Sequence, residues 1–176
     1  MKKLWIAFVA VTGISFGVLG WVGYEIYQKA PPIPETVLST DGSTVIASGE
    51  IARGQNVWQS LGGMETGSIW GHGSYVAPDW SADWLDRELV AVLDEWAKAE
   101  GAANFEGLHL EKRAALQARL TELYRRNDYN SVSKTLTVSP VRALAADAVR
   151  THLSDVFSSG RTEYAIPAGA LTDPVK

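Results

Sequence analysis

An uncharged run from Leu4 to Tyr24 constrains this chain more than any other feature. It has about the length that an α-helix needs to cross the hydrocarbon core of a bilayer. Lys2 and Lys3 precede it, and Trp5 and Trp21 lie near its two ends, as in an interfacial aromatic belt. The pattern predicts a transmembrane helix with its N-terminus in the cytoplasm and the remainder of the chain outside.

The alternative interpretation of this run is a cleaved signal peptide. Such a peptide has a shorter apolar region followed by small residues at a cleavage site. Here Ala30 is followed by Pro31 and Pro32, which suit cleavage poorly. We therefore favour an uncleaved anchor.

Small residues share one face of the predicted membrane helix. Ala10, Gly13, Gly17 and Gly20 recur at spacings of three and four. Such a face lets two helices approach closely, although glycine is also common in membrane helices in general. The pattern predicts that the anchor packs against another transmembrane helix, either of a partner or of a second copy in a homodimer.

The amino-acid composition argues against several classes of function. The 176 residues carry a net charge of -4 and no cluster of lysine and arginine, so a nucleic-acid partner is not expected. Cysteine is absent, which excludes disulfides, iron–sulfur clusters, cysteine-bound zinc and covalently attached haem. The only histidines, His72, His109 and His152, fall in different predicted elements. A multi-histidine metal or haem site is therefore not expected.

After the membrane helix, the sequence predicts a mainly α domain. Alternation about Asp41-Gly42 predicts a hairpin over 36–47, and a second short hairpin is predicted over 129–138. Apolar periodicity and end residues predict helices over about 48–62, 79–100 and 110–126, and a last helix capped by Ser139 and begun by Pro140. The predicted divisions are a cytoplasmic tip and anchor (1–29), a proline-rich linker (30–36), an extracytoplasmic domain (37–160) and a linker (161–176).

Glycine and tryptophan are concentrated between Gly54 and Glu88. Glycine permits sharp bends and close approach, and tryptophan supplies large apolar area with one N–H. The combination predicts a rigid docking surface, although such aromatic residues more often form a core or an interface. The predicted docking residues are Trp58, Trp70, His72, Gly73, Tyr75, Pro78, Asp79, Trp80 and Trp84.

The other candidates for chemistry have simpler interpretations that we favour. His72 lies between two glycines, where a structural hydrogen bond in a turn explains it better than metal binding. Asp79, Asp83 and Asp86 share a helical face, with Glu88 close by, and could act as acid–base groups or bind a hard cation. Acidic residues in a first helical turn more simply complement the helix dipole. The sequence contains no phosphate-binding loop, nucleophile elbow or zinc-binding helix motif, so no catalytic or cofactor-binding residue is expected.

The stretch WQSLGGMETGSIWGHGSYVAPDWSADWLDRE, with KAPPIPETV before it and LTELYRRN after it, resembles the N-terminal region of quinol-dependent nitric oxide reductase. The resemblance covers essentially the whole chain. One departure is Asp86, where the family usually has histidine in a Leu-His-Arg-Glu run. The departure concerns only the role of that histidine, and we expect this role to be local docking.

The resemblance implies a cytochrome-c-like fold that has lost its haem. In related two-component enzymes, which take electrons from soluble carriers, a small cytochrome subunit has Cys-x-x-Cys-His just before Gly-x-Gly-Ala-Tyr-x-Ala-Pro. Aligned on the segment 71–78, those cysteines and that histidine correspond to Gly63, Thr66 and Gly67. The resemblance also gives Gly73 and Tyr75 as calcium ligands.

In this family, quinol passes electrons to haem b and then to a centre of haem b₃ and non-haem iron, where two NO become N₂O and water. The resemblance implies that these cofactors, and the calcium ion where one is bound, belong to a catalytic transmembrane bundle outside these residues. The implied partners are that bundle, the bacterial cytoplasmic membrane and, indirectly, quinol. The domain would be periplasmic and would cap the bundle.

Thr172-Asp173-Pro174 repeats the cap-then-proline pattern of a helix start. A disordered tail, a shortened chain or the N-terminal piece of a longer protein would each explain it, and we favour the last two. Two other functions stay open from sequence. One is the same cap in an NO-dismutating relative, and the other is a stand-alone anchored protein that binds ligands on its tryptophans.

Overall fold

A computed structural model describes residues 2–29, 31–71 and 78–170 of the chain. Within them, two compact units are distinguished, Met1–Ile33 and Pro34–Lys176. The element order is α1 (Lys2–Gln28), β1 (Thr36–Ser39), β2 (Thr44–Ile46), α2 (Glu50–Ser60), α3 (Trp80–Ala99), α4 (Leu110–Arg125), β3 (Tyr129–Asn130), β4 (Thr135–Val138) and α5 (Pro140–Ser159). The predicted mainly α fold is confirmed, since the protein is 64% helical.

The first unit consists of α1 and the residues that follow it. Among the described residues, α1 is the one helix long and apolar enough to cross a membrane, and none of its side chains is buried. At 1.5 Å per residue, its 27 residues extend about 40 Å, which matches a bilayer with its headgroups. Lys29 closes the helix with an i,i+4 ion pair to Glu25.

Both predicted hairpins are present, and they join into one four-stranded sheet of order β2-β1-β4-β3. β1 pairs antiparallel with β2, and β3 with β4, while β1 pairs with β4 in parallel. Parallel neighbours need a long connection, and here α2, α3 and α4 lie between the two strands in sequence. This long-range pairing is not visible in the local sequence pattern. Among the apolar side chains of the sheet, those of Val37 and Val138 are buried.

The helices of the domain begin and end close to the predicted positions. Asp79 caps α3 by accepting hydrogen bonds from the backbone N–H groups of Ser81 and Ala82, and Gly101 follows its end at φ +82°. α5 begins with Pro140 as predicted, but Ser139 makes no side-chain cap. The Ser139 hydroxyl is buried without a partner among the described residues, so proline geometry rather than capping sets this helix start.

Two apolar clusters form the core around α3. One contains Leu93, Ala97, Phe105 and Leu116, and joins α3 to α4 and to a 3-10 turn at Phe105–Gly107. The other contains Trp80, Val156 and Ile166, and joins the start of α3 to α5 and the segment after it. α3 is therefore the central helix of the domain.

Residues 161–170 differ from the linker predicted for 161–176. They contain a 3-10 turn at Thr162–Tyr164, an antiparallel bridge between Arg161 and Ile166, and an Ile166 side chain that is 4% exposed. Because Ile166 belongs to the same cluster as Trp80, this part of the segment folds back onto the domain. The Thr172-Asp173-Pro174 prediction lies outside the described residues, and the other predicted divisions stay predictions.

Candidate functional site

The turn that follows α2 places two glycines against two indole rings. Gly62 adopts φ +68°, and a 3-10 turn then spans Gly63–Glu65. A Cβ added at Gly63 would lie 2.2 Å from Cδ2 of Trp58. A Cβ added at Gly67 would lie 2.0 Å from Nε1 of Trp80 and 2.8 Å from a backbone oxygen. These positions therefore accept glycine alone without rearrangement of the rings.

Four rings, which we call the aromatic cluster, fill this region: Trp58, Trp80, Phe157 and Tyr164. The ring centroids of Trp80 lie 5.2 Å from Phe157 and 5.4 Å from Tyr164, and those of Trp58 and Phe157 lie 6.3 Å apart. These separations are typical of edge-to-face and tilted aromatic pairs. The Nε1 atoms of Trp58 and Trp80 are buried and find no hydrogen-bond partner in the part of the chain that the structure describes. Packing, rather than hydrogen bonding, holds these indoles.

Covalent attachment of haem needs cysteine, and the chain has none. The resemblance aligns Gly63, Thr66 and Gly67 with the haem-binding positions of related cytochromes, and none of them carries a sulfur or an imidazole. The Thr66 hydroxyl donates to the carbonyl oxygen of Gly63 at 2.8 Å, which closes the turn on itself. Indole rings occupy the space in which side chains at 63 and 67 would start. The residues present do not fit the group.

Asp79 fixes the connection between this turn and α3. Besides capping the helix, its Oδ2 accepts from the Ser68 hydroxyl at 2.9 Å and from the backbone N–H of Gly71. The pKa of Asp79 lies below its usual value because the backbone N–H of Ala82, then that of Gly71, and the Ser68 hydroxyl donate to the carboxylate. The backbones of Ser68 and Asp79 also form a parallel bridge. The predicted dipole-complementing role of Asp79 agrees with this cap.

Trp70 has the opposite environment to Trp80. Its side chain is 81% exposed, and its backbone adopts φ +56°, a conformation that bulky residues rarely take. Its backbone N–H donates to the Ser81 hydroxyl at 3.1 Å. Trp70 is therefore presented to solvent on a turn that α3 holds in place.

The predicted docking residues differ in how deeply they are buried. Trp80 is 5% exposed and belongs to the core, so its assignment to a docking surface does not agree with the structure. Trp58, Pro78, Asp79 and Trp84 are half-buried, and Trp70 is exposed. His72, Gly73 and Tyr75 lie outside the described residues, so their docking and calcium-binding roles stay predictions. The alternative interpretation, that such tryptophans form a core, holds for Trp80.

Glu88 is the polar centre of the domain, whereas from sequence it is only one member of the acidic run 79–88. It is 6% exposed, and its Oε1 accepts from the Tyr124 hydroxyl at 2.7 Å and from Arg142 Nε at 2.9 Å. Its Oε2 accepts from Trp84 Nε1 at 3.0 Å. The Arg142 guanidinium also stacks 4.3 Å from the centroid of the Tyr124 ring. We call these four residues the Glu88 network.

The Glu88 network joins three helices, since Trp84 and Glu88 lie on α3, Tyr124 on α4 and Arg142 on α5. Burial, and then the hydrogen bond to Glu88, raises the pKa of Tyr124 above its usual value. One sequence signal could have identified Glu88. It lies four residues from both Trp84 and Val92, on the face of α3 that periodicity marks as buried.

The remaining candidates have structural roles. Asp83 pairs with Arg87 at 2.8 Å, and Arg87 also donates to the Tyr164 hydroxyl at 2.9 Å. His109 is exposed at the start of α4, and His152 is half-buried on α5. Within the described ranges, no group of three histidine, cysteine or carboxylate side chains is placed to hold a metal ion.

Comparison with known proteins identifies the family of the domain. The sequence profile of the NorB cytochrome c-like domain of nitric oxide reductase matches residues 34–176, which is most of the chain. Comparison with curated proteins gives no match. The matched region begins at the second compact unit and contains the aromatic cluster and the Glu88 network. This chain belongs to the family of NorB cytochrome c-like domains of nitric oxide reductase.

Proposed function

We propose that the chain is the non-catalytic N-terminal part of a quinol-dependent nitric oxide reductase. The whole enzyme would carry out 2 NO + quinol → N₂O + H₂O + quinone, in which quinol supplies two electrons and two protons. The chain would anchor a haemless domain that caps the catalytic transmembrane bundle.

The contact of Trp58 and Trp80 with Gly63 and Gly67 carries this proposal. A cytochrome c-like domain relays electrons only through its haem, and here ring atoms lie within 2.2 Å of where side chains at those positions would begin. A domain without haem offers soluble electron carriers no relay. A donor that reaches the catalytic haems from within the bilayer, such as quinol, needs no electron relay through this domain.

The proposed location follows from α1. A helix of this length and apolar composition suits a bilayer span, and Lys2 and Lys3 favour a cytoplasmic N-terminus. The domain would then lie on the periplasmic side of the bacterial cytoplasmic membrane. The face with Gly13 and Gly17 would pack against a helix of the bundle.

Co-purification tests the proposal. The chain is tagged at its N-terminus and expressed from its natural gene, in its native membrane. We expect the tag to recover haem b, and the recovered material to reduce NO with a quinol analogue but not with reduced soluble cytochrome c. Recovery of an enzyme that accepts electrons from cytochrome c would overturn the quinol assignment. NO turnover or haem binding by the 176 residues expressed alone would overturn the non-catalytic assignment.

A further inference from the structure

We propose that the groove between α3 and α5 is a docking site for a basic segment of a partner protein, whose lysine or arginine side chains pair with Asp86 and Asp94. This docking site goes beyond the proposed function, since it depends neither on the electron donor nor on the placement of α1.

The groove follows the seam along which α3 and α5 pack together. It has a volume of about 330 Å³ and is open to solvent on one side. Asp86, Val90 and Asp94 line it from α3, where a spacing of four residues places them on one face. Ala148 and His152, which are also four residues apart, line it from α5. Two helices of the domain therefore form its walls.

The charge of the groove is the first observation that indicates an occupant. The cation that lines it, Arg87, donates to Asp83 at 2.8 Å and is therefore already paired. Asp86 is exposed, and no ion pair joins it to another residue in the part of the chain that the structure describes. Asp94 accepts a hydrogen bond from the backbone N–H of Phe105 at 2.8 Å, which leaves its negative charge uncompensated.

Lys98 does not supply the missing positive charge. Its Nζ pairs with Glu95 at 2.6 Å, and the hydrogen bond to Glu95 is the main reason that the pKa of Lys98 lies above its usual value, while Asp94 contributes least. Two carboxylates of the groove thus await a cation. Such a surface attracts a basic partner and repels the phosphates of lipid headgroups and nucleic acids.

Apolar surface between the two carboxylates is the second observation. Val90 lies midway between them on α3 and is 50% exposed, and Ala148 is exposed on α5. The methylene stems of lysine and arginine cover apolar surface of this kind while their charged groups reach polar neighbours. A bare metal ion would not use this surface, and within the described ranges no three ligands are placed to hold one.

The spacing of the carboxylates indicates the form of the occupant. Asp86 and Asp94 are eight residues apart, which is about 12 Å along α3. Two basic residues seven positions apart on one face of a partner helix are separated by about 10.5 Å, a difference that long side chains can span. A helix that lies in a groove is a common recognition mode. A small polyamine is the alternative, but small ligands favour pockets that enclose most of their surface.

The test titrates a defined peptide into the full chain in neutral detergent micelles. The peptide is an alanine-based helix with two lysines seven residues apart. The imidazole signals of His152, which lines the groove, and of His109, at the exposed start of α4, are followed by NMR. We expect saturable shifts at His152 and none at His109. A peptide of the same composition with its lysines on opposite faces should bind several-fold more weakly.

Neutral variants measure the contribution of each carboxylate. Asp86→Asn and Asp94→Asn each remove one charge, and the amide oxygen at position 94 can still accept from the Phe105 N–H. We expect each variant to weaken binding of the labelled peptide, followed by fluorescence anisotropy, several-fold. Asp147→Asn is the matched control, because Asp147 lies on α5 outside the groove and its side chain is 74% exposed. Equal weakening by Asp147→Asn would mean that net charge alone attracts the peptide, and would overturn the docking site.

A steric variant tests the groove without a change in charge. Ala148→Phe should fill the space between the helices and abolish peptide binding, whereas Ala118→Phe, at an exposed site on α4, should not change it. Circular dichroism verifies that both variants keep their helices. Peptide binding that persists in Ala148→Phe would place the contact elsewhere and would contradict the proposal.

The remaining outcomes separate the docking site from the proposed function. Absence of saturable peptide binding to the unmodified chain overturns the docking site and leaves the proposed function intact, because haem recovery and the choice of electron donor test the latter. Spermidine that binds as tightly as the peptide, and competes with it, identifies a polyamine site and overturns the protein occupant.

Discussion

The N-terminal end and the centre of α3 are attached to the rest of the domain by different kinds of contact. At its N-terminal end, Trp80 packs into the aromatic cluster with a buried N–H that has no partner among the described residues. About two turns further along, Glu88 is equally buried, yet three donors satisfy its two oxygens. The first attachment depends on shape and the second on complete polar pairing.

This difference determines what each region tolerates. The Trp58 and Trp80 indoles make no hydrogen bond among the described residues, so their packing should be insensitive to pH and salt, but it cannot accept an added methyl group at Gly63 or Gly67. The Glu88 network should tolerate small changes in side-chain packing, because the Arg142 side chain is 23% exposed. Loss of any partner, however, leaves a buried charge or dipole uncompensated. Substitutions can therefore separate the two.

The largest effect is expected from restoring a haem-binding motif. In the full chain with Gly63→Cys, Thr66→Cys and Gly67→His, expressed with haem-attachment machinery, both glycine contacts are violated together. We expect no covalent haem and a loss of cooperative unfolding followed by circular dichroism. The same triple variant with Trp58→Ala and Trp80→Ala is the matched comparison. Stoichiometric haem in the triple variant with both tryptophans present would show that the rings do not block the site.

Glu88→Ala should be the most damaging single change. It removes the acceptor of three donors and leaves the Arg142 guanidinium, which is mostly buried, without its partner. Breaking a buried pair in this way costs about 3–5 kcal/mol, and the partial exposure of Arg142 places the expected loss near the lower value. Urea unfolding of the full chain in detergent, followed by tryptophan fluorescence, measures it. Glu122→Ala, on the exposed face of α4, is the control and should change the free energy of unfolding little.

Gly67→Ala tests the aromatic cluster with a single methyl group. The added Cβ would meet both an indole and a backbone oxygen, and such overpacking costs about 1–3 kcal/mol. Gly54→Ala in α2 is the matched control, because a Cβ there meets nothing within 4 Å, and it should stabilise the helix by about 0.5–1 kcal/mol. Opposite signs for the two substitutions are the expected result. A neutral Gly67→Ala would mean that the Trp80 ring moves aside freely.

The sequence predicted the elements of this fold better than their assembly. The helix limits at Asp79, Gly101 and Pro140, and the turn at Asp41-Gly42, follow from local chemistry that acts over a few residues. The parallel pairing of β1 with β4 and the return of Ile166 to the core depend on contacts between distant segments. No local pattern encodes such contacts, so a hairpin pair was predicted where one sheet exists.

The candidate site shows the same limit. The density of glycine and tryptophan correctly marked an unusual region, but composition could not show which rings face inward. Trp80 and Trp70 are both tryptophans beside turn residues, and only the packing of α5 and Ile166 makes one of them core. Glu88 is the reverse case, a buried residue in a sequence context that is typical of exposed residues. An acidic residue within an acidic run looks like a solvated surface until partners from α4 and α5 are placed beside it.

The smallest predicted effect, that of Tyr124→Phe, isolates the electrostatics of the Glu88 network. At neutral pH it removes one hydrogen bond from a carboxylate that keeps Arg142 and Trp84, so the expected loss is about 1 kcal/mol. The pH dependence of the free energy of unfolding tests the Tyr124–Glu88 contact more specifically. Because the folded-state pKa of Tyr124 is raised, the folded protein keeps a proton that the unfolded chain releases once the pH passes tyrosine's ordinary value of 10.0.

Stability should therefore fall as the pH rises above 10.0 in the unmodified chain, and the Tyr124→Phe variant should lose less over the same range. Urea midpoints measured between neutral pH and the alkaline range provide the comparison. Tyr129→Phe, at the half-buried start of β3, is the matched tyrosine control. Identical alkaline slopes for Tyr124→Phe and the unmodified chain would show that the Glu88 network does not control this titration. A selective change would show that the charge of Glu88 holds α3 to α4 at its centre.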